Sequence, residues 1–175
     1  TQSDVLHGLI LVEEQWKYYE NGTWVSDKYD FVDYNGGRFL VANGMVANLS
    51  GLVEYKGVWY FLTNGQLINT YSGLAEYDGE WFYVVDGILQ SDFNGIQSYD
   101  GSKFLIAEGR ILYEYSGLFE NADGVWYFIA NGQVQTKYSG LALYDEQWFY
   151  VANGVLAVYM RDCVYYDGSY FRVVD

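Results

Sequence analysis

Apolar and polar positions alternate along this chain in short bursts, and each burst ends at a glycine. Residues 57–67 read GVWYFLTNGQL and residues 124–134 read GVWYFIANGQV, with looser relatives such as GEWFYVVDGIL at 79–89 between them. Runs such as WYFL at 59–62 are aromatic and aliphatic, the composition that a pleated, half-buried surface favours. They follow YNG (34–36) or YDG (77–79 and 99–101), in which Asn or Asp before Gly accepts the positive φ angles of a tight hairpin turn. An NG or DG pair then ends the run. Helical spacing fits nowhere, so each phrase predicts one β-hairpin and a short connection.

The phrase recurs through the chain. Units start at Gly8, Asp30, Gly51, Gly73, Gly95, Gly117, Gly140 and Asp162, in steps of 22, 21, 22, 22, 22, 23 and 22 residues. A second glycine follows at Gly22, Gly44, Gly65, Gly87, Gly109 and Gly154, and comes one residue late at Gly132 because of an insertion near Asn121–Asp123. A lone hairpin is barely stable in water, so the units are expected to stack and bury one another's apolar faces.

Alternation assigns those faces. After the Trp59 position come Lys17, Phe39, Tyr60, Phe82, Phe104, Tyr127, Phe149 and Phe171, and two residues further on Tyr19, Val41, Leu62, Val84, Ile106, Ile129, Val151 and Val173. These columns are the predicted core. The Trp59 column itself reads Trp16, Arg38, Trp59, Trp81, Lys103, Trp126, Trp148 and Tyr170. A column that accepts Arg and Lys has to reach water, so its indoles are expected on an outer or inter-unit face. The same column has a period of three units, as does the closer likeness of NGGRFLVANGMV (35–46) to DGSKFLIAEGRI (100–111). The predicted architecture is therefore an all-β solenoid of stacked hairpins, about three to a turn. It occupies residues 1–175 as a single array. Thr1 in place of Met, and RVVD stopping short of the next glycine, predict a piece of a longer protein.

Composition narrows the function. Aromatics make up 21% of the chain and Pro is absent, which rules out a disordered segment. With 23 acidic and 9 basic residues the formal charge is −14, a poor match to nucleic acid or an anionic membrane surface. The longest apolar runs, such as WFYVV at 81–85, are far too short to span a bilayer, so no membrane insertion is expected. Cations and neutral polymers remain as partners.

A glycine, a WYY-like strand, a second glycine and a return about 20 residues on resemble the cell-wall-binding repeats of Gram-positive surface proteins, which include choline-binding and glucan-binding repeats. The resemblance is carried by GLVEYKGVWYFLTNG (51–65) and GLAEYDGEWFYVVDG (73–87) and extends from Gly8 to Asp175. It implies a hairpin spiral with ligands in grooves between neighbouring hairpins, in a secreted or cell-surface protein. It also implies a cation cage made from the Trp of GW, the Trp of GxWYY and an aromatic of the next unit. Here the second Trp is present at Trp59, Trp81, Trp126 and Trp148, but the first is Leu52, Leu74, Leu118 and Leu141. Leu offers no aromatic face, so the expectation shifts toward flat platforms for sugar rings.

Catalysis has little to work with. His7 is the one histidine, no His/Cys cluster suggests a metal, and Cys163 sits in a Leu slot where a small buried hydrophobe is expected. The acidic pairs Glu13/Glu14, Asp78/Glu80 and Asp145/Glu146 fall at turns; an acidic Ca²⁺ site there is the weaker alternative, without EF-hand spacing. No catalytic residue and no cofactor is assigned. The candidate ligand-binding residues are Trp16 with Tyr18, Trp59 with Phe61, Trp81 with Tyr83, Trp126 with Phe128 and Trp148 with Tyr150, assisted by Asn64, Asn131 and Asn153. The expected function is a non-catalytic module binding a glycan or cell-wall polymer, with a choline or teichoic-acid anchor and a ligand-free stalk as alternatives.

Overall fold

The structure is a computed structural model that describes residues 6–158 and 163–172. Asp162 and Val173, assigned above to a unit start and a core column, lie outside the described residues. Contacts gather into two compact units, Thr1–Gln90 and Ser91–Asp175. Among the described residues all regular structure is strand, and each unit holds four antiparallel hairpins.

In the first unit the hairpins are Gly8–Val12 with Gln15–Glu20, Asp30–Tyr34 with Gly37–Ala42, Gly51–Tyr55 with Val58–Thr63, and Gly73–Tyr77 with Glu80–Val85. In the second they are Gly95–Tyr99 with Ser102–Ala107, Gly117–Glu120 with Trp126–Ala130, Gly140–Tyr144 with Gln147–Ala152, and Cys163–Tyr166 with Ser169–Arg172. The third hairpin shows the plan. Gly51 pairs with Leu62 and Tyr55 with Val58, around a turn in which Lys56 (φ 52) and Gly57 (φ 80) are both left-handed. Those angles suit the right-handed twist of the flanking strands.

A second left-handed pair, Asn64 (φ 48) and Gly65 (φ 78), then feeds the two-residue strand Gln66–Leu67. That strand pairs back onto Leu62–Thr63, and Gln66 also pairs with Phe39 of the preceding hairpin. The Leu40 N–H donates to the Gly65 carbonyl at 2.8 Å. Such a short strand is thus a stitch between one hairpin and the one before it. The stitch recurs as Lys17 with Met45 and Tyr60 with Ile88 in the first unit, and as Phe104 with Gln133 and Tyr127 with Val155 in the second. Gly65 is held to glycine twice over: its φ is positive, and a Cβ would lie 2.1 Å from the Ala47 carbonyl oxygen.

The core is a series of small interfaces between consecutive hairpins. The innermost column is the second one named by alternation, with Val41, Leu62, Val84, Ile106, Ile129 and Val151 all fully buried. Leu52 packs with Ala75 and Val84 of the next hairpin, and Leu118 packs with Ala142 and Val151 in the same way. The first column departs from expectation. Phe39, Tyr60, Phe82, Phe104, Tyr127 and Phe149 are only half-buried, and Phe171 is exposed. The opposite face is drier than predicted, since Tyr18, Leu40 and Leu105 are buried. The reason is that each of these hairpins is packed by another hairpin of its own unit, so this face too is covered in part. Cys163 is a second correction: the Leu slot is covered by the following hairpin, and at the last hairpin of this chain Cys163 is exposed.

Candidate ligand pocket

The indole column and the hairpin-turn tyrosines meet across neighbouring hairpins. Trp126 and Tyr144 lie edge to face with ring centroids 4.9 Å apart, and Trp59 and Tyr77 do the same at 4.7 Å. Trp16 and Tyr34 are tilted at 5.0 Å. In each pair the Tyr follows the Trp by 18 residues, at the end of the first strand of the next hairpin. Beside one such pair lies a pocket of ≈ 230 Å³ lined by Leu118, Trp126, Tyr144, Phe149 and Leu156. Leu118 is buried, and three of the five lining residues are aromatic. Phe149 and Tyr144 stand 6.4 Å apart at 65°. The lining has no charged side chain. Its chemistry is that of π faces converging on a small apolar space, which attracts a positive, weakly hydrated group.

In two of the predicted Trp-plus-two pairs the rings have different neighbours. Phe61 stacks on Tyr71 (4.2 Å, 20°) and Phe128 on Tyr138 (4.3 Å, 28°), while Trp59 and Trp126 turn to Tyr77 and Tyr144. Tyr18 is buried in the cluster with Leu9 and Val41, which corrects its reading as a wet platform residue: the second hairpin covers it. Trp81 and Tyr83 are half-buried, and Tyr150 is half-buried opposite Leu141. Trp148 is the most open indole of the column, 60% exposed. Arg38 and Lys103 hold their charges over the Phe31 and Tyr127 rings, at 5.3 and 5.2 Å. A column shared by Trp and basic residues is therefore consistent: Trp16, Trp59, Trp126, Arg38 and Lys103 each have an aromatic neighbour.

The residues that sequence reasoning missed are Tyr144, Phe149 and Leu156. Tyr144 was visible as the Tyr before each turn, and its constant offset of 18 residues from a Trp was the available signal. Two of the three acidic pairs are accounted for by backbone geometry. Glu13 and Glu14 (φ 49 and 64) and Asp145 and Glu146 (φ 48 and 61) fill left-handed turn positions. Among the described residues no group of three acidic, His or Cys side chains is placed to hold a metal.

Phenols reinforce the joints. The hydroxyls of Tyr71, Tyr115 and Tyr138 donate to the carbonyls of Leu74, Leu118 and Leu141 at 2.5, 2.5 and 2.6 Å. Burial, with a hydrogen bond to Tyr166, pushes Tyr138 up to about 12. The Tyr55 hydroxyl donates to Asp30 at 2.7 Å and, with the Phe31 N–H, holds that carboxyl below its ordinary range.

Residues 50–68, 70–90, 114–135 and 137–157 match the family model of the choline-binding repeat. Among curated protein sequences none matches the chain. Among solved structures the chain is similar to CbpJ from Streptococcus pneumoniae TIGR4, at 17% identity over 95% of this chain and 56% of that one, with a TM-score of 0.45. It is similar to choline binding protein F from the same species, at 20% identity over 88% of this chain and 48% of that one, with a TM-score of 0.43. A third is the modular autolysin LytC from Streptococcus pneumoniae, at 18% identity over 78% and 36% of the two chains, with a TM-score of 0.33. The chain spans about half the length of the first two.

Proposed function

Because the chain carries choline-binding repeats, we propose that it is a wall-attachment module whose inter-hairpin pockets seat the trimethylammonium group of choline on a cell-wall polymer. The observation that carries this reading is the pocket itself: Trp126, Tyr144 and Phe149 line one small space with Leu118 and Leu156, with no competing charge in the lining. Leucine in the slot of the absent Trp removes one aromatic wall, and Phe149 of the following hairpin provides another. Three rings at about 0.5–2 kcal/mol each sum to the order of 4 kcal/mol, which corresponds to a Kd of roughly 1 mM. Such a site is weak alone and effective when several engage one polymer.

The hairpin pair carrying Leu52, Trp59, Phe82 and Leu89 groups the same residue types, and is read as a second copy of the site. The formal charge of −14 raises the local concentration of cations around all copies. The array is read as a binding element, secreted or on the surface of a Gram-positive cell, with catalysis left to other domains of a parent protein.

The test is a calorimetric titration with choline and with 3,3-dimethylbutanol, its uncharged isostere. Choline is expected to bind in the millimolar range and the isostere at least 10-fold more weakly. Equal binding of the two, or none by choline, refutes the reading.

A further inference from the structure

Asn is followed by Gly seven times in this chain. The pair is chemically labile, because the glycine's backbone nitrogen can attack the asparagine side-chain carbonyl with no Cβ in the way. The structure treats the seven copies differently. We infer that one of them, Asn35 with Gly36 at the tip of the second hairpin, is a site of spontaneous deamidation, and that the fold protects the others. The inference is independent of what the Leu118 pocket binds.

Five of the pairs close the second turn of a unit, and there the attacking nitrogen is occupied. The N–H groups of Gly22, Gly44, Gly65, Gly132 and Gly154 donate to the carbonyls of Leu6, Lys28, Leu49, Tyr115 and Tyr138 at 2.8 to 3.0 Å. At the last four of these glycines a Cβ would also lie only 2.1 to 2.8 Å from neighbouring backbone, so the turn has no room to rearrange. The sixth pair is held by other means. Gly95 is buried and pairs with Ile106 in the strand ladder. The Asn94 carboxamide donates to the Asp92 carbonyl and accepts from the Glu108 N–H, each at 3.0 Å.

Asn35 and Gly36 (φ 48 and 76) are instead the exposed two-residue loop between Asp30–Tyr34 and Gly37–Ala42. Nothing beyond the adjacent residues lies within 4 Å of a Cβ built on Gly36. Among the described residues the Gly36 N–H has no acceptor and the Asn35 carboxamide no partner. The next two hairpins guard the same position: Gly57 and Gly79 donate to the carboxylates of Glu54 and Glu76, three residues earlier. In the second hairpin that place belongs to Asp33, one methylene shorter, whose carboxylate lies 3.9 Å from Arg38 instead. The nucleophile is left free.

The step balances with water as its one co-reactant. The Gly36 nitrogen bonds to Asn35 Cγ, the Cγ–Nδ2 bond breaks, and the amide proton departs with that nitrogen as ammonia. Water then opens the cyclic imide. Opening at Cγ leaves an aspartate at position 35, and opening at the main-chain carbonyl carbon leaves isoaspartate, whose backbone is one carbon longer. A two-residue loop with both φ angles positive sets the pairing of Tyr34 with Gly37. The longer backbone breaks that fit. Tyr34 is also the residue whose ring meets Trp16 at 5.0 Å, so the change is passed to the joint of the first two hairpins.

The experiment holds the full chain at mildly alkaline pH and follows each Asn-Gly peptide over days by digestion and mass spectrometry. Each rate is divided by the rate of the same peptide in guanidinium chloride, which removes effects of local sequence. Asn35 is expected to react about 5-fold faster than any other pair, or more, because the others must first open locally. Asp33→Glu, which restores the reach of Glu54 and Glu76, is expected to slow Asn35 by about 3-fold and leave the other pairs unchanged. A relative rate at Asn35 no higher than at another Asn-Gly pair overturns the proposal, and so does a rate that Asp33→Glu leaves unaltered.

Discussion

Trp126 and Tyr144, 18 residues apart, meet edge to face at 4.9 Å and 74° across two consecutive hairpins. The positive edge of one ring rests on the negative face of the other, an arrangement worth about 0.5–1.5 kcal/mol beyond area burial. It leaves a second indole surface for the pocket. One contact therefore couples the stacking of hairpins to the proposed binding of ligand.

Trp126→Ala is expected to weaken choline binding by 10-fold or more at its pocket while Trp148→Ala, at an open indole outside the lining, changes it by less than 2-fold. Calorimetry on both variants checks the pair. If Trp148→Ala is the more damaging, the ligand is elsewhere.

Leu118→Trp, which restores the family's residue in sequence, is expected to destabilise rather than complete the cage. Leu118 is 1% exposed and packed against Ala142 and Val151, so the larger ring overfills the joint. A cost of about 1–3 kcal/mol is expected, read from a urea transition.

Gly65→Ala and Gly79→Ala separate two effects of the same kind of turn. Both glycines have φ near 80°, but only at Gly65 does a Cβ meet backbone; at Gly79 nothing lies within 4 Å. Gly79→Ala is expected to cost about 1 kcal/mol from the left-handed backbone alone, and Gly65→Ala clearly more. Equal losses in thermal melts would show that the close approach to Ala47 is not rigid.

Glu146→Gly is expected to stabilise the second unit by about 1 kcal/mol. Glu146 occupies a left-handed position (φ 61) that other turns of the chain give to glycine. Thermal unfolding of the variant is the measurement, and no gain would mean that the Glu side chain contributes something its turn geometry does not reveal.

Alkaline stability is expected to fall between about pH 10 and 12. Tyr138 is raised to about 12 in the fold, from its ordinary value of 10.0. Its contribution is complete below the unfolded value and is lost as the pH climbs through the folded one, because the unfolded chain releases the proton first. Tyr138→Phe is expected to flatten that limb in denaturant melts taken from pH 9 to 12.

How far the sequence carried can be judged from particular residues. Val41, Leu62 and Val84 were identifiable as core because alternation fixes which side of a strand a residue occupies. Gly65 was identifiable as a turn residue because Asn-Gly accepts two positive φ angles, although its approach to Ala47 was not. The match to the choline-binding repeat, too, was readable from the glycine and aromatic spacing. Tyr18 and Cys163 show the limit. Both were assigned a face correctly, yet one proved covered and the other open, because alternation says nothing about what lies against a face.

Local order in this protein, namely hairpins, turns and the repeat length, was determined by the sequence alone, since neighbouring residues decide backbone conformation and strand periodicity. Only the tertiary structure decided which rings meet. Phe128 chose Tyr138 and Trp126 chose Tyr144, and the pocket over Leu118 exists because of those choices. Such pairings depend on how one hairpin is set down on the next, through stitches like Tyr127 with Val155 that join residues far apart in the chain.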